Sequence, residues 1–124
     1  MKRDIVVLGS TGFIGNAVYD RLLEKDMQNL VPVPTSSRKW TLDKNDSWLA
    51  GAIQGADVVF LCAGRTGGVG RMSSDPLSFV YPNVRIHMNV FEACATAGVR
   101  RVVCLGSTTG YPDGGHVMFE DDYL

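Results

Sequence analysis

Cysteine and histidine are scarce in this chain, three of one and two of the other among 124 residues. Cys62, Cys94 and Cys104 each sit inside an apolar segment without metal-type spacing, so neither a disulfide framework nor a zinc site is expected. They read as buried thiols of a cytoplasmic protein. His87 and His116 lie far apart and offer no metal pair. An excess of charge is missing too: 12 Lys and Arg stand against 13 Asp and Glu, a net charge of −1. That balance argues against a nucleic-acid or anionic-membrane surface. No apolar run approaches the ~18 residues of a membrane span. Met1-Lys-Arg-Asp leads straight into an apolar run, so no signal peptide is expected. Repeats, low-complexity tracts and linkers are absent as well, so residues 1–124 are expected to form one domain.

What the chain does have is glycine in a particular place. With 45% hydrophobic and 20% charged residues it has the composition of a soluble globular domain. Gly9-Ser-Thr-Gly12-Phe-Ile-Gly15 follows the apolar run Ile5-Val-Val-Leu8 and opens an amphipathic stretch over residues 13–25. Strand, glycine turn and helix in that order are what a dinucleotide site needs. Gly9 lets the chain turn off the strand, Gly12 has no Cβ to block a pyrophosphate, and Gly15 lets the helix pack close. The helix start offers N–H groups and the positive end of its dipole to phosphates. Gly9, Thr11, Gly12, Phe13, Ile14 and Gly15 are thus candidate cofactor-binding residues, an ordinary strand-to-helix turn being the alternative.

Strand and helix alternate along the rest. Strands are predicted over residues 4–8, 29–33, 57–62 and 101–105, with a short one at 40–42, and helices over 13–25, 46–54 and 76–97. Continuous apolar runs such as Val58-Val-Phe-Leu-Cys62 suit strands buried on both faces of a parallel sheet. The expected fold is therefore α/β, a Rossmann-like doubly wound parallel sheet of about five strands ordered 3-2-1-4-5 in chain order. Pro32 and Pro34 lie two apart, so their missing donors fall on one side of the second strand. That strand should pair with the first through Val31 and Val33, and weakly or not at all with the segment at 40–42.

The residues after the second strand bear on the choice of cofactor. An acid there would bind the ribose 2′-OH of NAD, but the chain reads Pro34-Thr-Ser-Ser-Arg38-Lys39, with no acid until Asp43. Ser36, Ser37, Arg38 and Lys39 suit a 2′-phosphate, which favours NADP, with NAD the alternative. A merely solvated loop would look similar. Asp43 could reach the adenine amino group or simply face water.

From Leu61 onward the sequence is more particular. Leu61-Cys-Ala-Gly-Arg-Thr-Gly67-Gly68 leads into Pro76, Phe79, Tyr81, Asn83 and Asn89, then Ala97-Gly98-Val99, Gly106-Ser107 and Tyr111-Pro112. This pattern resembles the extended short-chain dehydrogenase/reductase family, and within it the GDP-L-fucose synthase branch. The resemblance implies an NADP-dependent epimerase/reductase acting on a GDP-keto-sugar in nucleotide-sugar metabolism. It implies that Ser107 is the catalytic serine that hydrogen-bonds the keto oxygen. Ala63 and Gly64 would pass beside the nicotinamide-side ribose and phosphates. It makes Asn83 a structural residue, and Phe79, Val84, Val90 and Phe91 helix core or dimer face. Thr109 stands where the family often has an acid/base cysteine, which puts epimerisation in doubt because a threonine hydroxyl titrates far from neutrality.

The family's chemistry also needs a Tyr-x-x-x-Lys pair, and no tyrosine here has a lysine four residues on: Tyr111 is followed by Gly115, and Tyr123 is next to last. The expectation is a cofactor-binding portion of such an enzyme, a truncated product or fragment whose GDP-sugar site would be completed by other parts. A non-catalytic NAD(P)-binding module, or a fold that has lost binding, are the alternatives. A homo-oligomer is expected.

Overall fold

The computed structural model describes residues 4–27, 29–35, 41–42, 48–107, 110–112, 114–115 and 117–122. Four parallel strands run through it: β1 (Asp4–Leu8), β2 (Leu30–Val33), β3 (Ala56–Leu61) and β4 (Arg101–Cys104), ordered β2-β1-β3-β4. The helices are α1 (Phe13–Glu24), α2 (Trp48–Ile53), α3 (Val69–Ser74) and α4 (Leu77–Ala97), with a 3-10 turn at Glu120–Asp122. This is the expected Rossmann-like α/β sheet; of the short strand anticipated at 40–42, Trp40 lies outside the described residues. There Thr41 and Leu42 are not in a strand. β2 is the outer strand of the described sheet on that side, and its prolines explain why: they remove donors a further neighbour would need. Leu42 is instead buried in the core, and its carbonyl accepts from Asn89 Nδ2 at 2.9 Å. The pairing of β2 with β1 through Val6–Val31 and Leu8–Val33 is as expected.

The register aligns the strand ends. Leu8 is opposite Val33 on one side and Leu61 on the other, and Leu61 is opposite Cys104. Every strand therefore releases its chain at one edge, where the glycine turn begins. Alternation along the strands sends Val6, Leu8, Val59 and Leu61 to one face, where they meet Leu49 and Ile53 of α2 and Ile86, Val90 and Cys94 of α4. Ile5 and Val7 are buried on the opposite face of β1, the side left for α1.

α4 explains its own ends. Pro76 precedes it, and it stops where Gly98 takes φ +70°, with Gly98 and Val99 N–H returning to the carbonyls of Ala95 and Cys94. Pro82 lies inside and costs the helix one backbone bond. α3 was not anticipated. Its Gly67-Gly68-Val-Gly70 start reads as a loop, although Val69 and Met72 at helical spacing were a signal.

Candidate functional site

β1 ends in a turn that only glycines can build. Gly9 takes φ +86°, and a Cβ on it would lie 2.8 Å from the Ala63 nitrogen. A Cβ on Gly15 would overlap the Gly9 carbonyl itself. The two glycines therefore interlock α1, the turn and the start of the loop after β3. Gly9 N–H donates to the Val33 carbonyl at 3.0 Å, and Gly12 N–H to the Gly9 carbonyl at 2.9 Å, so the turn is tied to β2 and to itself. Ser10 is buried beneath it.

The start of α1 is open. Gly12 is the N-cap, with extended backbone, and no described side chain caps the helix. The first bond inside the helix runs from Asn16 N–H to the Gly12 carbonyl at 2.9 Å. The N–H groups before it, at Phe13, Ile14 and Gly15, are the orphan donors every helix start carries. A Cβ on Gly12 would meet only the Gly9 carbonyl, at 3.3 Å, so side-chain space above the turn is vacant. Thr11 and Ile14 are exposed, and Phe13 is 97% exposed. Donors, a positive dipole end and a cradle a Cβ would fill make a surface suited to a pyrophosphate. Residues and group fit.

Ala63 and Gly64 line the same edge. Cys62 N–H donates to the Leu8 carbonyl at 3.0 Å, which carries the loop over residues 62–68 past the glycine turn. The anticipated structural role of Asn83 takes a definite form: its side chain receives the Arg65 N–H at 2.7 Å and donates to the Arg65 carbonyl at 2.9 Å. Arg65 itself was missed, and the asparagine pair six apart in α4 was the sign that this helix holds other segments. Gly67 packs against the Phe79 ring, where a Cβ would come within 2.7 Å.

Ser107 lies three residues beyond β4 at the same edge, exposed, with its carbonyl accepting from Gly110 N–H at 3.3 Å. The turn, the loop of Ala63 and Gly64, and Ser107 are thus brought to one side of the sheet. Ser36, Arg38 and Asp43, with Ser37, Lys39, Thr108 and Thr109, lie outside the described residues.

The cysteines correct the sequence reading in part. All three are free thiols, but Cys94 alone is buried; Cys62 is half-buried and Cys104 is exposed on the outer strand. Burial raises the pKa of each, and the neighbouring Cys104 adds to the rise at Cys62 and Cys94. All three are held as thiols, poor nucleophiles at neutral pH. Among the described residues no cluster of three metal-ligating side chains forms, and no helix is long and apolar enough to cross a membrane.

A parallel sheet with a glycine turn at its carboxyl edge defines a dinucleotide-fold domain. The chain belongs to the NAD dependent epimerase/dehydratase family, which it matches over residues 5–124. It is 31% identical over 108 residues to the putative GDP-L-fucose synthase 2 of Arabidopsis thaliana, covering 87% of this chain and 33% of that protein. It is 28% identical over 111 residues to the GDP-L-fucose synthase of Escherichia coli (strain K12), covering 90% of this chain and 34% of that one. The chain thus spans about a third of the length of the curated relatives it matches. Its fold is similar to MoeE5 in complex with UDP-glucuronic acid and NAD, with TM-score 0.77 and 27% identity over 97% of this chain and 42% of that one. It is also similar in fold to a GDP-L-fucose synthetase from Naegleria fowleri bound to NADP, with TM-score 0.74 and 24% identity over 98% of this chain and 36% of that one.

Proposed function

We propose that this chain is the NADP-binding portion of a nucleotide-sugar epimerase/reductase resembling the GDP-L-fucose synthases. The observation that carries this is the interlocked Gly9–Gly15 turn under an uncapped helix start. Gly9, Thr11, Gly12, Phe13, Ile14 and Gly15 hold the pyrophosphate through backbone N–H groups. Ala63 and Gly64 pass beside the nicotinamide-side ribose. The preference for NADP rests on Ser36, Arg38 and the lack of an acid before Asp43; Asp43 is the adenine contact. NAD, the dinucleotide named with MoeE5, is the alternative. A bound nicotinamide cofactor supplies hydride to a carbonyl carbon. Ser107 donates a hydrogen bond to the keto oxygen of a GDP-sugar and polarises it.

The proton donor is the gap. With no Tyr-x-x-x-Lys pair in these 124 residues, the chain by itself does not complete the reaction. A second reading is a non-catalytic NAD(P)-binding module in the cytoplasm. Fluorescence titration with NADPH and NADH tests the shared part: tighter binding of NADPH is expected, and no binding of either dinucleotide defeats both readings. A turnover assay with the remaining two thirds of a related enzyme added in trans separates them, since only the first reading expects activity.

The chain also self-associates in this reading. α4 carries the exposed stripe Val80, Val84, Met88 and Phe91, which with Met72 of α3 and Phe79 lines an apolar groove of about 510 Å³. A surface of that kind marks an association site, and a second copy is the proposed occupant.

A further inference from the structure

α4 meets the loop at the carboxyl edge of the sheet through Phe79, packed on Gly67, and through the hydrogen-bonding side chain of Asn83. The Asn83 carboxamide bonds both polar groups of a single backbone residue, Arg65, at 2.7 and 2.9 Å, across 18 positions of sequence. It thereby does for the loop what a neighbouring strand does for a strand. The loop is pinned on its other side by the bond from Cys62 N–H to the Leu8 carbonyl at 3.0 Å and by Ala63 packed on Gly9. Ala63 and Gly64 lie between these two fixings, and glycine gives the stretch more freedom to lose than most residues would. Without the carboxamide, Arg65 N–H and C=O would turn to water, and binding a ligand would carry the cost of ordering the loop.

We infer that Asn83 is a positioning residue for the dinucleotide: it holds residues 63–65 in the shape that meets the nicotinamide half. The inference rests on the cofactor-binding reading above and adds to it a residue that touches no cofactor atom. It predicts an effect confined to one half of the ligand. The adenine half is held elsewhere, by the glycine turn and the segment after β2.

Two probes divide the ligand: NADPH, and adenosine 2′,5′-bisphosphate, which lacks the nicotinamide half. Dissociation constants are measured for the wild type, Asn83→Ala and Asn89→Ala, each with a melting curve. Asn89 is the control, because its Nδ2 also leaves α4 for a backbone carbonyl, that of Leu42 at 2.9 Å, away from the loop. Asn83→Ala is expected to weaken NADPH about tenfold while leaving the bisphosphate within about twofold, as loss of two net hydrogen bonds on one side would give. Asn89→Ala is expected to leave the ratio of the two constants at the wild-type value. Equal weakening of both probes by Asn83→Ala, an unchanged NADPH constant, or the same change of ratio in Asn89→Ala overturns the inference. If Asn83→Ala does not fold, Asn83→Asp keeps shape and acceptor, loses the donor to the Arg65 carbonyl, and must shift the ratio the same way. A wild type that binds neither probe overturns the cofactor reading itself, a result distinct from all of these.

Discussion

β1 and β4 are built from nearly the same residues. Asp4-Ile-Val-Val-Leu8 and Arg101-Val-Val-Cys104 each place one charge before an apolar run, and each runs parallel to β3. Val7 and Leu8 of β1 are 0% exposed, whereas Val102 and Val103 of β4 are half-buried and Cys104 is exposed. The difference lies in the neighbours. β1 has a strand on each side and helices over both faces, while β4 has β3 alone among the described residues. The loops diverge in the same way: β1 runs into a turn locked by Gly9 and Gly15, and β4 runs out through an exposed Gly106-Ser107. An apolar run thus marks a strand, but its place in the sheet decides whether it stabilises the core and what kind of site it can end in.

The largest expected consequence is chemical. In the proposed reading the β1 end holds the cofactor and the β4 end supplies Ser107, while these 124 residues hold no Tyr-x-x-x-Lys pair to deliver the proton. Missing general-acid catalysis forfeits about 10²–10⁴ in rate. No NADPH oxidation with a GDP-4-keto-sugar is expected from the purified 124-residue chain above the background of the Ser107→Ala variant. Robust turnover by the chain alone would show that the β4 end is a complete site.

Stability should follow the same division. Leu8→Ala, at a fully buried central position, is expected to cost about 2–5 kcal/mol, the range for a core cavity. Leu105→Ala, just beyond β4 and 43% exposed, should cost under about 1 kcal/mol. Urea unfolding of both variants checks this. Equal losses would mean that β4 is covered in solution.

Much of this was legible in the sequence, for identifiable reasons. The runs at Ile5-Val-Val-Leu8 and Val58-Val-Phe-Leu61 are long and apolar, and the prolines at 32 and 34 foretold an outer strand. The glycine turn could be read because its spacing has one steric purpose. The segment at 40–42 misled because Leu42 is apolar for the sake of the core rather than of a strand. The burial of Cys104 was overestimated because the apolar run Val102-Val-Cys104 does not say how many neighbours its strand has. Asn83 stood out as a structural residue, but its partner Arg65 did not: the bridge joins residues 18 apart through geometry that no periodicity encodes.

A smaller effect is expected on the adenine side of the β1 end. Arg38→Ala should weaken NADP by about 1.5–3 kcal/mol, the worth of a charge-assisted bond to the 2′-phosphate, and leave NAD unchanged. Calorimetric titration with both cofactors would detect it. Equal affinity of the wild type for NAD and NADP, or an Arg38→Ala variant with unaltered NADP binding, would remove the ground for preferring NADP.

The smallest effect concerns how β4 and α4 are covered. Val102, Val103 and Cys104, with Leu105 just beyond, form an apolar row on the outer strand of the described sheet with no proline, guarded only by Arg100 and Arg101 at its start. Such an edge invites pairing with another chain. The stripe on α4 offers a second surface, and the two can be told apart by placing one lysine on each. Val103→Lys should weaken a dimer that pairs through β4 by about 0.5–1 kcal/mol, because two copies bring like charges together across the new strand pair. Val84→Lys should then leave the dimer constant unchanged, and the reverse pattern would assign the contact to α4. Sedimentation velocity over a wide concentration range reads both. A clean monomer at the highest concentration, with the amides of β4 exchanging freely, would mean that neither surface is used and that β4 stays as open as it stands beside β3.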